Sequence, residues 1–164
     1  MAHKEFLELN LEKTITCLTR VLDASAMASL RAEQAQHVHA LVVLAENHLT
    51  FSKSIPGRRH WRHIVSRSYY AAYIASKAVR YAADNAFSKE ARDHLEIGTL
   101  PKDFPNKPRW SSLLSTFRGD RNIADYDHLA KSSELEESPN EYRRKSEQFV
   151  ELVKTYLKTR GIPV

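Results

Sequence analysis

Arg121 and His128 lie seven residues apart in the stretch Arg118-Gly119-Asp120-Arg121-Asn122-Ile123-Ala124-Asp125-Tyr126-Asp127-His128. On a continuous α-helix that interval is close to two turns, so the two side chains share a face roughly 10.5 Å apart along the axis. The pairing suits phosphate chemistry. Arginine offers a fixed fork of donors to phosphate oxygens, and histidine is the side chain that gives and takes protons near neutrality. Asn122 and Tyr126 form a second polar pair at i, i+4, rotated about 100° from the first. The same spacing also suits a solvated face held by an Arg121/Asp125 ion pair, and spacing alone leaves both readings open.

A second set of chemistry-bearing residues is the basic cluster Arg58, Arg59, His60, Trp61, Arg62, His63 and Arg67. On one helix Arg59, His63 and Arg67 line up at i, i+4, i+8, and Trp61 offers a stacking surface beside them, an arrangement that can follow a nucleic-acid backbone. The alternative is a solvated helix start with Trp61 turned into the core. His60 and His63 could meet one metal ion at i, i+3, but arginines surround them and no carboxylate or cysteine stands nearby to complete a ligand set, so no metal site is expected. Asp120, Asp125 and Asp127 spread around the helix and read as arginine partners. There is no Gly-rich phosphate loop, no G-x-S-x-G elbow and no C-x-x-C pair.

Two blocks resemble the HEPN family, the higher-eukaryote-and-prokaryote nucleotide-binding helical domain. Ser66-Arg67-Ser68-Tyr69-Tyr70-Ala71-Ala72-Tyr73-Ile74-Ala75-Ser76-Lys77-Ala78 is similar to the S-R-x-Y-Y-A helix of small prokaryotic members. Arg121 to His128 resembles both the family's nuclease motif, an Arg, a polar residue and a later His, and the R-x-x-A-D-Y signature of minimal members. The match covers residues 30 to 160 or so. It implies an all-α, up-down bundle of four or five helices that dimerises through its motif helices and, in active members, cleaves RNA without a metal or cofactor. Carried over by position, Arg121 binds the scissile phosphate, Asn122 orients it and His128 is the acid or base. Asp125 and Tyr126 match the signature as supporting residues without an assigned role. The cluster Arg58, Arg59, Arg62, His63 and Arg67 is the expected RNA-binding surface. The expected biological role is the toxin of a toxin–antitoxin or defence system, with RNA, a second copy of the chain and an antitoxin as partners. A non-catalytic module binding a nucleotide or a nucleotidyltransferase-fold protein is the alternative, and a helical nucleic-acid binder using only the basic cluster is a third possibility.

Composition fits these expectations without selecting among them. The chain has 164 residues, suited to a single domain, and 25 Lys plus Arg against 20 Asp plus Glu give a formal charge of +5, which favours anionic partners. No apolar run approaches a membrane span and Met1 to Asn10 lacks a secretory hydrophobic region, so a cytoplasmic protein is expected. The single Cys17 stands at apolar spacing with Leu11, Ile15, Leu18 and Leu22 and reads as core filler.

The elements expected to position the motif are helical throughout, with only four glycines and no two-residue alternation. Helices are predicted over Phe6 to Asp23, Leu30 to Ser54 with a stop at Ile55-Pro56-Gly57, and Arg59 to Ala83. After a broken stretch from Asp84 to Lys107, with a short helix near Ser88 to Ile97, further helices are predicted over Pro108 to His128 and Pro139 to Lys158. Tyr69, Tyr70 and Tyr73 read chiefly as core anchors. Gly119 weakens the motif helix by up to roughly 1 kcal/mol relative to Ala and could permit a bend or a close backbone approach.

Overall fold

The computed structural model describes residue 18 and residues 20–56, 58–83 and 91–164; among them it is all α-helical, with no strand. The helix expected over Phe6 to Asp23 lies almost wholly outside the described residues, as do Cys17 and Gly57. Asp23 opens the first described helix, α1 (Ala24–Ser54), by accepting the Ala26 N–H at 2.8 Å, a side-chain cap that starts the helix ahead of the expected Leu30. The buried residues of α1, Leu30, Gln34, Val38, Val42, Ala45, Leu49 and Ser52, recur at three- and four-residue steps, which keeps them on one face. Pro56 cannot continue the ladder, and the helix stops before Ile55.

A 3₁₀ turn, Arg58–His60, leads into α2 (Trp61–Ala82). Ala71, Ala72, Ala75 and Ala78 of α2 are completely buried, and their small side chains let neighbouring helices pack closely around it. The contacts fix the directions. Gln34 near the start of α1 donates to the Tyr81 carbonyl at the end of α2, while Ser52 at the end of α1 hydrogen-bonds Ser68 near the start of α2 at 2.8 Å, so the pair is antiparallel.

Residues Ala91–Gly98 form a 3₁₀ segment rather than an α-helix. It is pinned at its end by Ser76 Oγ donating to the Ile97 carbonyl at 2.6 Å and Ser111 Oγ donating to the Gly98 carbonyl at 2.7 Å. Gly98 has a steric reason: a Cβ there would stand 3.0 Å from the Ser111 carbonyl oxygen.

Pro108 occupies the first turn of α3 (Lys107–Tyr126), where its missing N–H is harmless. Arg121 near the end of α3 meets Tyr70 of α2, and Trp110 near its start packs on Phe149 of α4 (Pro139–Thr159) with ring centroids 5.2 Å apart. Asp120 accepts the Tyr142 hydroxyl of α4 and the Glu136 N–H. Adjacent helices therefore alternate in direction, an up-down bundle around one shared core. Ser138 caps α4 by accepting the Glu141 N–H, with Pro139 following it. Phe149, 1% exposed among Phe104, Trp110 and Val150, is a central core side chain; truncation to Ala costs about 3–5 kcal/mol.

The motif helix ends at Tyr126, not at His128. Asp127 is extended, and its carboxylate accepts the N–H groups of Leu129 and Ala130 at 2.9 and 3.1 Å, a local turn that competes with another helical turn. Arg62 completes the stop by donating to the Ile123, Ala124 and Ala130 carbonyls at 3.3, 2.8 and 2.9 Å. α3 runs through Gly119 as one helix, and no neighbour approaches there, since a Cβ would meet nothing within 4 Å.

Candidate functional site

Arg121 is the hub of the site. Its Nη2 donates to the Tyr70 hydroxyl at 2.9 Å, and its Nη1 to the Tyr126 hydroxyl at 3.1 Å and to Asn122 Oδ1 at 3.3 Å. Nε lies 2.7 Å from Asp125 Oδ2, close enough for an ion pair but off the line of a hydrogen bond. The guanidinium carbon also stands 5.7, 5.5 and 5.0 Å from the ring centres of Tyr69, Tyr70 and Tyr126, so the cation is held in an aromatic cage. Tyr126 is 66% exposed and Asn122 is exposed too. The outer wall of the cage is therefore the part an incoming anion can displace, while Tyr70 and Asp125 hold the inner side.

Four of the expected residues, Arg121, Asn122, Asp125 and Tyr126, thus stand together at the end of α3. His128 does not share their helix face. It is exposed on the turn after Asp127, and the two-turn relation expected from the spacing fails because the helix stops first.

The histidine that meets the Arg121 cage is His94, in the 3₁₀ segment. Its ring stacks on Tyr73 with centroids 4.2 Å apart and planes 21° from parallel, and stands 5.9 and 6.0 Å from the rings of Tyr69 and Tyr70. Its Nδ1 is 2.7 Å from the Tyr69 hydroxyl. Burial pushes the His94 pKa below its ordinary 6.5, and the Arg121 charge adds to the effect, so the ring is neutral near neutrality. Burial drives the Tyr69 pKa well above the usual tyrosine range despite Arg121, which keeps that hydroxyl protonated. A protonated hydroxyl can donate to one neutral tautomer of His94 and accept from the other. His48 of α1 also stacks on Tyr70, with ring centroids 5.6 Å apart; burial and then Arg67 lower its pKa.

His94 is positioned by its neighbour. Asp93, 2% exposed, accepts from Arg80 Nη1 and Nη2 at 2.8 and 3.2 Å and from the Tyr73 hydroxyl at 2.5 Å, with Lys77 Nζ at 3.2 Å. Burial alone would raise the Asp93 pKa, but the hydrogen bonds from Arg80 and Tyr73 and the charges of Arg80 and Lys77 bring it below the ordinary carboxylate value. The carboxylate thereby clamps the 3₁₀ segment to α2. Burial and the bond to Asp93 also drive the Tyr73 pKa far upward.

The basic cluster divides. The Arg58 side chain lies outside the described residues. Arg59 is exposed in the 3₁₀ turn, off the helix that carries His63 and Arg67, so the expected three-residue line reduces to two. Arg62 is spent on the carbonyls that end α3, its guanidinium 4.5 Å from the Trp61 ring centre, and Trp61 itself is half-buried against the core. Arg67 lies over Phe51 at 5.5 Å and His63 stacks with His60 at 6.2 Å.

Asp120, expected to partner an arginine, instead holds the loop before α4, and Asp127 forms the turn after α3; only Asp125 pairs with arginine. Among the described residues no three His, Cys, Asp or Glu side chains converge as a metal ion would require, and no helix is long and apolar enough to cross a membrane. The residues that sequence reasoning missed are His48, Asp93 and His94. No motif flagged them; the sole hint was a histidine beside an aspartate in a stretch too irregular to be read as an element.

No family model, curated protein or solved structure matches the chain.

Proposed function

We propose that the chain is a metal-independent endoribonuclease of the HEPN type, acting as a homodimer and serving as the toxin of a toxin–antitoxin or related defence system. The observation that carries the reading is that a caged arginine and a neutral histidine, Arg121 and His94, share the Tyr69/Tyr70 surface. In the reaction, the 2′-hydroxyl of RNA attacks the adjacent phosphorus; the P–O2′ bond forms and the P–O5′ bond breaks, leaving a 2′,3′-cyclic phosphate and a 5′-hydroxyl. Arg121 exchanges the exposed partners Tyr126 and Asn122 for phosphoryl oxygens and stabilises the charge that develops there. With Nδ1–H donating to the Tyr69 hydroxyl, His94 Nε2 is free to take the 2′-hydroxyl proton. His128 of a second copy gives a proton to the departing 5′-oxygen, and both histidines re-equilibrate with water.

The dimer draws support from exposed apolar side chains near the cage. Leu95 follows His94, Tyr126 walls Arg121, and Leu129, three residues past Tyr126, is 91% exposed; a second copy would cover them. A cytoplasmic antitoxin partner belongs to the same reading and rests on the family resemblance.

The second reading is a non-catalytic module that binds a nucleotide or a nucleotidyltransferase-fold protein. It is favoured by the fact that Arg121 is engaged by four groups of its own chain. The deciding experiment is incubation of the purified protein with single-stranded RNA in EDTA, beside Arg121→Ala. Cleavage by wild type and none by the variant supports the nuclease; intact RNA with wild type selects the module.

A further inference from the structure

At the junction of α1 and α2, apart from the Arg121 cage, lies an open groove of about 460 Å³ whose lining includes Phe51, Ile55, Pro56, His60, His63 and Arg67. Its physical character is mixed. Phe51 is 53% exposed, an unusual position for a phenylalanine. Ile55 and Pro56 extend an apolar floor, and the rim is one guanidinium and two stacked imidazoles, with no carboxylate among the described residues of the lining. The groove joins the cage along one surface. Phe51 is one turn beyond His48 on α1, and Arg67 is one turn before Tyr70 on α2, while His48 stacks on Tyr70 and feels the Arg67 charge. His63, Arg67 and Tyr70 follow one face of α2 over roughly 10.5 Å.

An aromatic face with an arginine over it, an apolar floor and a rim of ring N–H groups beside one guanidinium fit a flat heterocycle that carries a phosphate. They do not fit a duplex, whose bases are stacked inside. We propose that this groove seats an unstacked nucleobase of single-stranded RNA next to the nucleotide being cut. The base lies against Phe51 and the Arg67 plane, and the adjoining phosphate pairs with Arg67. The seat rests on the reading of the Arg121 cage as an RNA-cleaving site, and it assigns that site a substrate class: a strand entering over the α1/α2 junction, with one base bound before the scissile phosphate reaches Arg121.

The test measures binding separately from cleavage. A fluorescein-labelled single-stranded oligonucleotide with 2′-O-methyl groups throughout has no nucleophile, so anisotropy reports binding alone. Phe51 is exposed, so Phe51→Ala leaves the fold intact and should weaken binding about tenfold or more. Phe51→Trp should restore it, with tryptophan emission quenched on addition of the strand. Arg67→Ala should weaken binding and lower the slope of log affinity against log salt by roughly one contact. A duplex of the same sequence should bind Phe51→Ala and wild type alike. Unchanged strand binding by Phe51→Ala overturns the seat even where Arg121→Ala abolishes cleavage. A Phe51-dependent loss in a protein that never cleaves RNA keeps the seat and removes the nuclease reading. Adenosine monophosphate binding as tightly as the strand, with the same dependence on Phe51, assigns the groove to free nucleotide and overturns the RNA proposal.

Discussion

Replacing Asp93 by Ala should destabilise the protein more than most surface changes and should do so through a charge. Asp93 and Arg80 are each 2% exposed, and Asp93 receives both Nη groups of Arg80 and the Tyr73 hydroxyl. Removing the carboxylate leaves the Arg80 guanidinium buried without its counter-ion, and its Nε already has no hydrogen-bond partner. Breaking a buried pair from one side costs about 3–5 kcal/mol. With a urea m-value of about 2 kcal/mol/M, the unfolding midpoint followed by far-UV circular dichroism should fall by about 2 M with the slope unchanged. The penalty belongs to the orphaned charge, so Arg80→Met combined with Asp93→Leu should recover more than half of the loss, because apolar replacement of both partners is often close to neutral. Guanidinium salts would screen the pair, so urea is the denaturant of choice. A midpoint for Asp93→Ala within about 0.5 M of wild type, or a double variant less stable than Asp93→Ala alone, would refute the reasoning.

Mixing variants separates residues that work within one chain from those that work across a dimer. Arg121→Ala and His128→Ala, each inactive alone in a cleavage assay, should regain about a quarter of wild-type activity when unfolded and refolded together, because half the dimers are then mixed and each holds one intact site; Arg121→Ala with His94→Ala should regain none. His94→Ala by itself should slow cleavage by about 10²–10⁴-fold with strand binding retained. Gly119→Ala should raise stability by up to about 1 kcal/mol, read as a higher melting temperature, since the added methyl meets nothing within 4 Å on a helical residue; a drop in melting temperature would mean a hidden neighbour at that face. The His94 and His48 pKa values are lowered in the fold, so the unfolded chain binds protons first as pH drops below about 6.5. That part of the stability is complete above pH 6.5 and is lost on acidification. Melting followed from pH 7.5 to 5.5 should show a smaller decline for His94→Gln than for wild type, and parallel declines would contradict the burial of that ring.

What was legible in the sequence is what local chemistry fixes. Pro139 announced the start of α4 and Ile55-Pro56 announced the end of α1; caps, breakers and face periodicity act within a few residues. The motif's own end was less legible, because two interactions compete with the helix after Tyr126. The Asp127 turn is local and could have been weighed, whereas the Arg62 cap comes from a residue about sixty positions earlier and leaves no local trace. His94 shows the same limit more sharply. Its partners Tyr69, Tyr70 and Tyr73 stand on α2, its clamp runs through Asp93 to Arg80, and the cation it meets stands on α3. No spacing rule connects these positions, because tertiary packing alone brings them together.

The placement of Arg121 follows from the same division between local and distant causes. Its ion pair with Asp125 is the i, i+4 contact that spacing allows for any exposed helix, and by itself such a pair contributes little. What distinguishes this arginine is the ring of hydroxyls and aromatic faces from α2, which leaves its side chain 14% exposed while keeping its exposed partners, Asn122 and Tyr126, on the solvent side. A guanidinium built only for stability would take buried acceptors, as the two Nη groups of Arg80 take Asp93. Arg121 is satisfied in part by groups that solvent or a phosphate can replace, and that difference between two arginines of one bundle is what the proposed role of Arg121 in phosphate chemistry rests on, while Arg80 serves the scaffold.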